Sequence, residues 1–455
     1  MKEGRLVGLD IGTSGLKITL ADDSGRITDH LKYKYELVEW APGVVPLTFY
    51  FGIVQKVLSS LAQKYFLISI SVSTQMYSIC RWTKDGIAVL QWNCIWPRAR
   101  EESDFAKTLF QSGCPADTLY GGYKLLSTPP GERKDFLTYG LKEALIELLT
   151  GELATDYTTA SASGLFKLAD MDWNREILEQ NGFDPARLAR VCRHNQPVGN
   201  LRGEAFAGAD ANTLVVPGLG DGPSASYACR DVSNFCGNIG TSMACRVFTE
   251  SPDLSQADKM WIYAVDPQTS IVGGISSNSC TVFHWANRLG FDTIDQLCET
   301  GDLMLVPWIY GERMPYWSSD LKGVLLGLMA DTSREQISCA AQKAVAFTMA
   351  AMVHCLNPFN NNGDPLVLAG GGTHSKGVLE VIAGSVQSDL AILEDADYLC
   401  STGSVISAGE GVGIQVQPKN KLTRLIHADG SYLTEYTRWR AACEAMSNFY
   451  HAKQF

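Results

Sequence analysis

The pentapeptide DIGTS, Asp10 to Ser14, returns half a chain later as NIGTS, Asn238 to Ser242, in a protein of 455 residues. The first copy lies between two short apolar runs, RLVGLD and GLKITLAD. The second lies inside VSNFCGNIGTSMACRVFT. Both patterns read as strand, tight turn, strand. A turn built of Gly and hydroxyl residues offers consecutive backbone N–H groups and short O–H donors, which together form a nest for phosphate oxygens. Gly12 and Gly240 let the backbone come close to a ligand, and Thr13, Ser14, Thr241 and Ser242 add hydroxyls. One copy alone would read equally well as an ordinary hairpin with small turn residues. Two copies half a chain apart favour the phosphate reading. Neither is a P-loop, because G-x-x-x-x-G-K-[ST] is absent.

The sequence around each copy extends the match. After the first come a third strand, ITDHLKYKY, helical spacing in PLTFYFGIVQKVLSSLAQKY, and the buried strand FLISISVST. A further helix is predicted at LKEALIELLTG, with Gly151 as its C-terminal cap. After the second copy come a long helical stretch from Ser333 to Leu356, the strand PLVLAGGGT, and a helix from about Lys376 to Ser388. The shared order implies an internal duplication, giving two α/β domains facing each other across a cleft. The expected division lies near residues 222–234. It separates an N-terminal domain, 1–228, that binds the acceptor and carries the base, from a nucleotide-binding domain, 229–455.

Asp10 and Asn238 differ for a reason if the two turns hold opposite sides of one nucleotide. A single Mg²⁺ needs a carboxylate, directly or through water. A second carboxylate facing the same phosphates would add repulsion, and Asn avoids it. Lys17 leaves the first turn on the following strand, within reach of a transferring phosphoryl group. On its own it would read as a solvated strand residue. In PGLGDGPSASYA, Asp221 follows an apolar strand and precedes a small-residue helix. A carboxylate there can take a hydroxyl proton as the oxygen attacks phosphorus, although a helix N-cap is the common role of such an Asp. In LAGGGTHSKG, three glycines between strand and helix admit a flat ligand such as an adenine ring.

Composition limits the alternatives. The net charge of −11 argues against nucleic acid as a partner. The 13 cysteines include no C-x-x-C and sit singly in apolar segments, as in a reduced cytoplasmic protein. The seven histidines form no zinc pattern. The start reaches a strand within five residues, leaving no room for a signal peptide. No membrane span is expected, and AVAFTMAAMVHCL, Ala344 to Leu356, reads as a buried core helix.

Taken together, these elements resemble the FGGY family of carbohydrate kinases, in the sugar kinase–Hsp70–actin superfamily, and most of all its gluconate kinase and xylulose kinase branch. D-x-G-T-S-x-x-K at Asp10 to Lys17 is similar to the family's first phosphate motif and NIGTS to its second. STQMYS (Ser73 to Ser78) and the Trp96–Arg100 segment resemble its sugar-contact strands. TGELATDYTTASASGLFKLADMDW resembles its Asp-Tyr, Ala-Ser, Gly-Leu segment, GLGDG its catalytic-base turn, and PWIYGERMPYW and LAGGGTHSKG its C-terminal signature and adenosine motif. The resemblance implies two duplicated ribonuclease H-like, actin-like ATPase domains with an interdomain cleft. It implies ATP and Mg²⁺ as cofactors, a small-molecule carbohydrate as acceptor, and often a homodimer. It makes Asp221 the general base. Asp10 and Asp221 attend the metal. Asp10, Gly12, Thr13, Ser14, Lys17, Gly240, Thr241, Gly311, Gly371, Gly372 and Lys376 lie on the nucleotide side. Gln75, Met76, Tyr77, Trp96, Arg98 and Asp221 face the acceptor.

The acceptor residues depart from the family. W-x-D-x-R becomes Trp96-Pro97-Arg98-Ala99-Arg100, Met-His becomes Met76-Tyr77, and K-L-x-W becomes Lys124-Leu125-Leu126-Ser127. Ser279 and Cys280 stand where glycines are common. A lost carboxylate and a gained Arg98 suit an anionic sugar acid, since a guanidinium fork matches a carboxylate; a solvent-facing Arg98 reads equally well. Xylulose or another ketose is the alternative acceptor. A degenerate member that binds ATP or sugar without transfer is a second alternative, and an actin- or Hsp70-like ATPase machine a third. That third alternative would share the phosphate turns but not GERMPYW or DYTTASASGLF.

Overall fold

The computed structural model describes residues 2–92 except 37, 40 and 42, and then 108–184, 188–250, 252–292, 297–394, 396–418 and 420–452. The chain divides into two compact units. The first comprises residues 1–231, 250–271 and 398–419; the second comprises 232–249, 272–397 and 420–455.

The first unit is built on a six-stranded sheet. Its order is Gly199–Asn200, Leu214–Val216, Phe66–Thr74, Gly4–Ile11, Gly15–Ala21, Ile27–Lys34. Gly4–Ile11 is antiparallel to Gly15–Ala21, with Asp10 opposite Lys17, and parallel to Phe66–Thr74. Side chains alternate across a strand, so the two faces of Gly4–Ile11 have different covers. Val7, Leu9 and Ile11 join a core with Tyr50, Val54 and Leu58 of helix Leu47–Lys64 and Leu145 and Leu149 of helix Leu141–Thr150. Gly151 ends that second helix in the left-handed conformation, φ 80°, with its N–H on the Glu147 carbonyl. On the other face, Gly8 lies under helix Leu399–Glu410: a Cβ there would stand 2.3 Å from the Ser401 carbonyl oxygen. That helix in turn supports helix Asp221–Ala228, where a Cβ at Gly403 would stand 1.9 Å from the Ser224 carbonyl oxygen.

The sheet of the second unit contains the run Leu422–Ile426, Leu390–Leu393, Leu366–Ala369, Phe235–Ile239, Met243–Thr249, Ser270–Ser276. Phe235–Ile239 is antiparallel to Met243–Thr249 and parallel to Leu366–Ala369, which is parallel to Leu390–Leu393. From Leu422–Ile426 to Met243–Thr249 this repeats the strand order and sense of the first sheet, with the GTS turn in the same hairpin. One difference lies at the far edge: Gly199–Asn200 precedes its neighbour in the chain, whereas Leu422–Ile426 follows its own. Helix Arg334–Leu356 starts at Ser333, whose side chain accepts from the Gln336 N–H while Gln336 returns to the Ser333 N–H. Among the described residues it is the one helix long and apolar enough to cross a membrane. Every residue from Ser338 to Val353 is buried in the unit, which makes it the core helix expected from the sequence.

Candidate active site

In the first unit, Asp10 ends on the face covered by helix Leu399–Glu410 and is only 7% exposed. Gly12 N–H donates to the Gly15 carbonyl at 3.0 Å and closes the turn, and the Tyr35 hydroxyl donates to the Gly12 carbonyl. Thr13 and Ser14 are exposed at the tip. Burial, and then the charge of Asp221, raise the Asp10 pKa from 3.8 to about 7, against the pull of Lys17. The structure therefore brings together Asp10, Lys17 and Asp221. Asp221 is the first residue of its helix, the N-cap being Gly220, and its Oδ1 accepts from the Gly222 N–H at 2.7 Å.

A carboxyl whose pKa is raised binds its proton more tightly in the folded chain than in the unfolded one. The Asp10 contribution to stability is therefore present below pH 3.8 and lost as pH rises to about 7. In metal-free protein at pH 8, ionised Asp10 costs at most roughly 4 kcal/mol. Asp10→Asn is expected to melt several degrees above the wild type at pH 8 and close to it at pH 4, by calorimetry without Mg²⁺. A variant that melts lower at pH 8 would remove the assignment of Asp10 as a buried, reluctantly ionised carboxyl.

Met76 reaches the turn that precedes Asp221, since a Cβ at Gly220 would stand 2.6 Å from its sulfur. Gln75 donates its N–H to the Ile11 carbonyl and its Nε2 to the Tyr50 hydroxyl. Tyr77 is held at φ 71°, a left-handed conformation rare for a bulky residue and concentrated at functional sites. Buried Lys124 donates to the Tyr77 carbonyl at 2.7 Å, and the Tyr77 and Tyr263 hydroxyls are 3.2 Å apart. The Lys124 ammonium thus holds the loop from inside. A cavity of about 40 Å³ beside Gln75 and Tyr77 has room for water alone and is too small for a sugar. Trp96 and Arg98 lie outside the described residues.

The second unit gathers the other predicted residues. Asn238 Oδ1 accepts from the Arg246 guanidinium, so the Asn of the second copy faces a cation on the neighbouring strand. Gly240 N–H donates to the Ser242 carbonyl at 3.0 Å, a bond one residue shorter than the Gly12–Gly15 bond of the first turn, and Thr241 is exposed. Gly370 and Gly372 abut Ile239: a Cβ at Gly372 would stand 2.2 Å from its side chain. Two of the three glycines are thus required by packing. A Cβ at Gly371 would meet nothing, leaving open space beside the backbone. Cys280 N–H donates to the Gly240 carbonyl, and Asn278 Nδ2 donates to the Gly311 carbonyl at 2.6 Å. Gly240, Gly311 and Gly371–Gly372 therefore form one cluster. Lys376 begins helix Lys376–Ser385 and is exposed.

Some residues of these sites were not anticipated from sequence. Asn278 also donates to Glu312 Oε2 at 3.2 Å, and burial, against hydrogen bonds from Ser276, the Arg313 N–H and Asn278, raises Glu312 to about pKa 7. Against the Gly218–Gly220 turn stands the buried pair Lys142 and Asp156. The family segment DYTTAS contains Asp156, but no local signal names Lys142 as its partner. No group of three or more His, Cys, Asp or Glu able to hold a metal occurs among the described residues.

Comparison with known proteins places this geometry. Residues 5–228 match the N-terminal domain, and residues 257–410 the C-terminal domain, of the FGGY family of carbohydrate kinases. Gluconokinase of Bacillus subtilis (strain 168) is 23% identical over 442 residues, covering 87% of this chain and 85% of its own. Xylulose kinase of Staphylococcus xylosus is 23% identical over 418 residues, covering 83% and 85%. The crystal structure of gluconate kinase from Lactobacillus acidophilus superposes with a TM-score of 0.88 at 20% identity, covering 99% of this chain and 100% of that one.

Proposed function

The chain belongs to the FGGY family of carbohydrate kinases, phosphotransferases with an alcohol group as acceptor, and from that premise we propose that it phosphorylates a gluconate-like sugar acid with Mg²⁺–ATP. The buried Asp10 beside Asp221 and Lys17 carries the kinase chemistry of this reading. The carboxylate lost to Arg98 in the Trp96–Arg100 segment supports the sugar acid, as do the names of two of the similar proteins. The names also favour a second acceptor, xylulose or another ketose, because the similarity to both branches is equally low.

The donor set fits Mg²⁺. Two carboxyls that oppose each other's ionisation gain from a shared cation, and Mg²⁺ binds through one or two carboxylates, waters and phosphate oxygens. With no complete metal cluster among the described residues, the ion would arrive with the nucleotide. Once bound, it neutralises charge developing on the phosphates. Asp221 takes the proton of the acceptor hydroxyl, and Lys17 draws the negative charge of the transferring group. Thr13, Ser14 and the Gly12 turn receive phosphate oxygens from one side. Thr241, Gly240, Gly311, Gly371, Gly372 and Lys376 serve the nucleotide in the second unit. Gln75, Met76, Tyr77, Trp96 and Arg98 face the acceptor, with 1–228 and 229–455 as the two duplicated halves. The cytoplasm suits the free thiols of the described cysteines.

ADP release with Mg²⁺–ATP across sugar acids, ketoses, aldoses and polyols tests the reading. Turnover is expected on D-gluconate or a related acid. Arg98→Asp is expected to lower turnover on sugar acids at least tenfold more than on any neutral sugar. Equal losses on both would remove Arg98 from the pocket. ATP binding without transfer on any acceptor would favour the degenerate alternative.

A further inference from the structure

Lys142 and Asp156 form an ion pair of 2.7 Å in which neither side chain is exposed. Taking two charges out of water is costly, and well-packed apolar residues often serve stability as well or better. Burial alone would raise the Asp156 pKa. The Lys142 charge and hydrogen bond, with those of Thr158 and Thr159, hold it below the ordinary carboxylate value. The Asp156 carboxylate is therefore favoured over its acid, and the remaining hydrogen bonds of the pair show where it acts.

Lys142 Nζ also donates to the Gly218 carbonyl at 3.1 Å. Asp156 caps helix Tyr157–Ser161, accepting from the Thr158 N–H at 2.8 Å and from the Thr158 hydroxyl. With its proton given to Asp156, that hydroxyl accepts from the Gly220 N–H at 3.0 Å. One end of the pair thus holds a carbonyl of the base turn and the other, through Thr158, holds an N–H two residues on. Gly218 is at φ 64°, with a Cβ position 2.4 Å from Ser71 Oγ, so the turn has one tightly fitted conformation. Asp221 follows directly.

We propose that Lys142, Asp156 and Thr158 are positioning residues that clamp the Gly218–Gly220 turn and thereby fix where the Asp221 carboxylate meets the acceptor hydroxyl. The inference rests on Asp221 being the base. A carboxylate on a loosened turn remains present but misplaced, and a misplacement of about 1 Å can cost on the order of 100-fold in rate. Most of the groups proposed for the nucleotide lie outside this turn, so ATP affinity serves as the control.

Thr158→Val and Thr158→Ser separate positioning from mere stability, with Asp221→Asn measured alongside. Valine keeps the shape and removes both hydrogen bonds, while serine keeps both. Amide hydrogen exchange of a peptide covering 217–224 reads the clamp without any substrate. ADP release with D-gluconate, or with the best acceptor of the panel, reads its effect well below each variant's melting temperature. Thr158→Val is expected to speed exchange at Gly220 at least tenfold and lower kcat about 10–100-fold, with KM for ATP within twofold and Thr158→Ser near wild type. If Thr158→Val fails to fold, Lys142→Met combined with Asp156→Asn poses the same question without leaving a lone buried charge. Unchanged exchange, or wild-type kcat with faster exchange, overturns the clamp and leaves the base assignment standing. A parallel fall in kcat and ATP affinity, unrescued by serine, overturns it as a general structural role. Full activity in Asp221→Asn overturns the base assignment and the clamp with it.

Discussion

Asp221→Asn is expected to lower kcat for phosphoryl transfer by roughly 10²–10⁴-fold while ATP still binds within severalfold. The size follows from the proposed role: removing a general base forfeits proton transfer in the transition state, whereas the groups proposed for the nucleotide are mainly turns and glycines elsewhere. The substitution is also conservative in structure. The Oδ1 that accepts from the Gly222 N–H is retained, so the first turn of helix Asp221–Ala228 keeps its local bond. Electrostatics add a signature that a simple loss of folding would lack. The Asp221 charge is one of the causes raising the Asp10 pKa, so in the variant Asp10 should ionise at lower pH. Titration calorimetry with Mg²⁺–ATP from pH 6 to 8 should then show a flatter pH dependence than the wild type. A variant that retains most of its rate would mean that another group takes the hydroxyl proton.

The second large effect is expected from Gly8→Ala. A Cβ at this position would lie 2.3 Å from both the Ser401 carbonyl oxygen and the Val405 nitrogen. Both are backbone atoms, so no rotamer change relieves the clash, and helix Leu399–Glu410 must move off the strand. Forcing one methyl into a packed interface costs roughly 1–3 kcal/mol and more where backbone must shift. Here the displaced helix also carries helix Asp221–Ala228, through the close contact at Gly403. The expected result is a loss of about 3 kcal/mol in urea unfolding together with a reduced kcat at temperatures where the protein is still folded. An unchanged midpoint would show that the helix seats on the strand more loosely than the 2.3 Å approach implies.

Much of this molecule can be read from its order of residues, and the reason is locality. The hairpins around Gly12 and Gly240 are set by turn chemistry over a few positions, so both were legible as turns. So were the strand Phe66–Thr74, the capped helix Leu141–Thr150 and the core helix Arg334–Leu356, each set by its own apolar pattern and end residues. The glycines of LAGGGT were legible as a turn, but their separate duties were not: Gly370 and Gly372 answer to Ile239, more than a hundred residues away. Lys142 was invisible for the same reason. On helix Leu141–Thr150 it reads as one solvated cation among the charged positions, and only the fold shows it buried against Asp156 and Gly218. Helix Leu399–Glu410 carries small residues that suit close packing, yet nothing in LCSTGSVISAGE indicates that its partner is the strand at the other end of the chain.

That pairing has a consequence for how the chain is made. Strand Gly4–Ile11 leaves the ribosome before the helix that covers its Gly8 face, with about 390 residues added between them. Until then the sheet can bury the face that meets helix Leu47–Lys64 but not the one beneath Leu399–Glu410. Closing so long a loop is slow, and an uncovered apolar face is exposed to misassociation meanwhile. The nascent first unit therefore waits, half-covered, until residues 398–419 have been made. Asp10 and Asp221 reach their final surroundings only once residues 398–419 have joined the unit, so a truncated chain lacking that segment would keep the Gly12 turn without the wall that covers Asp10.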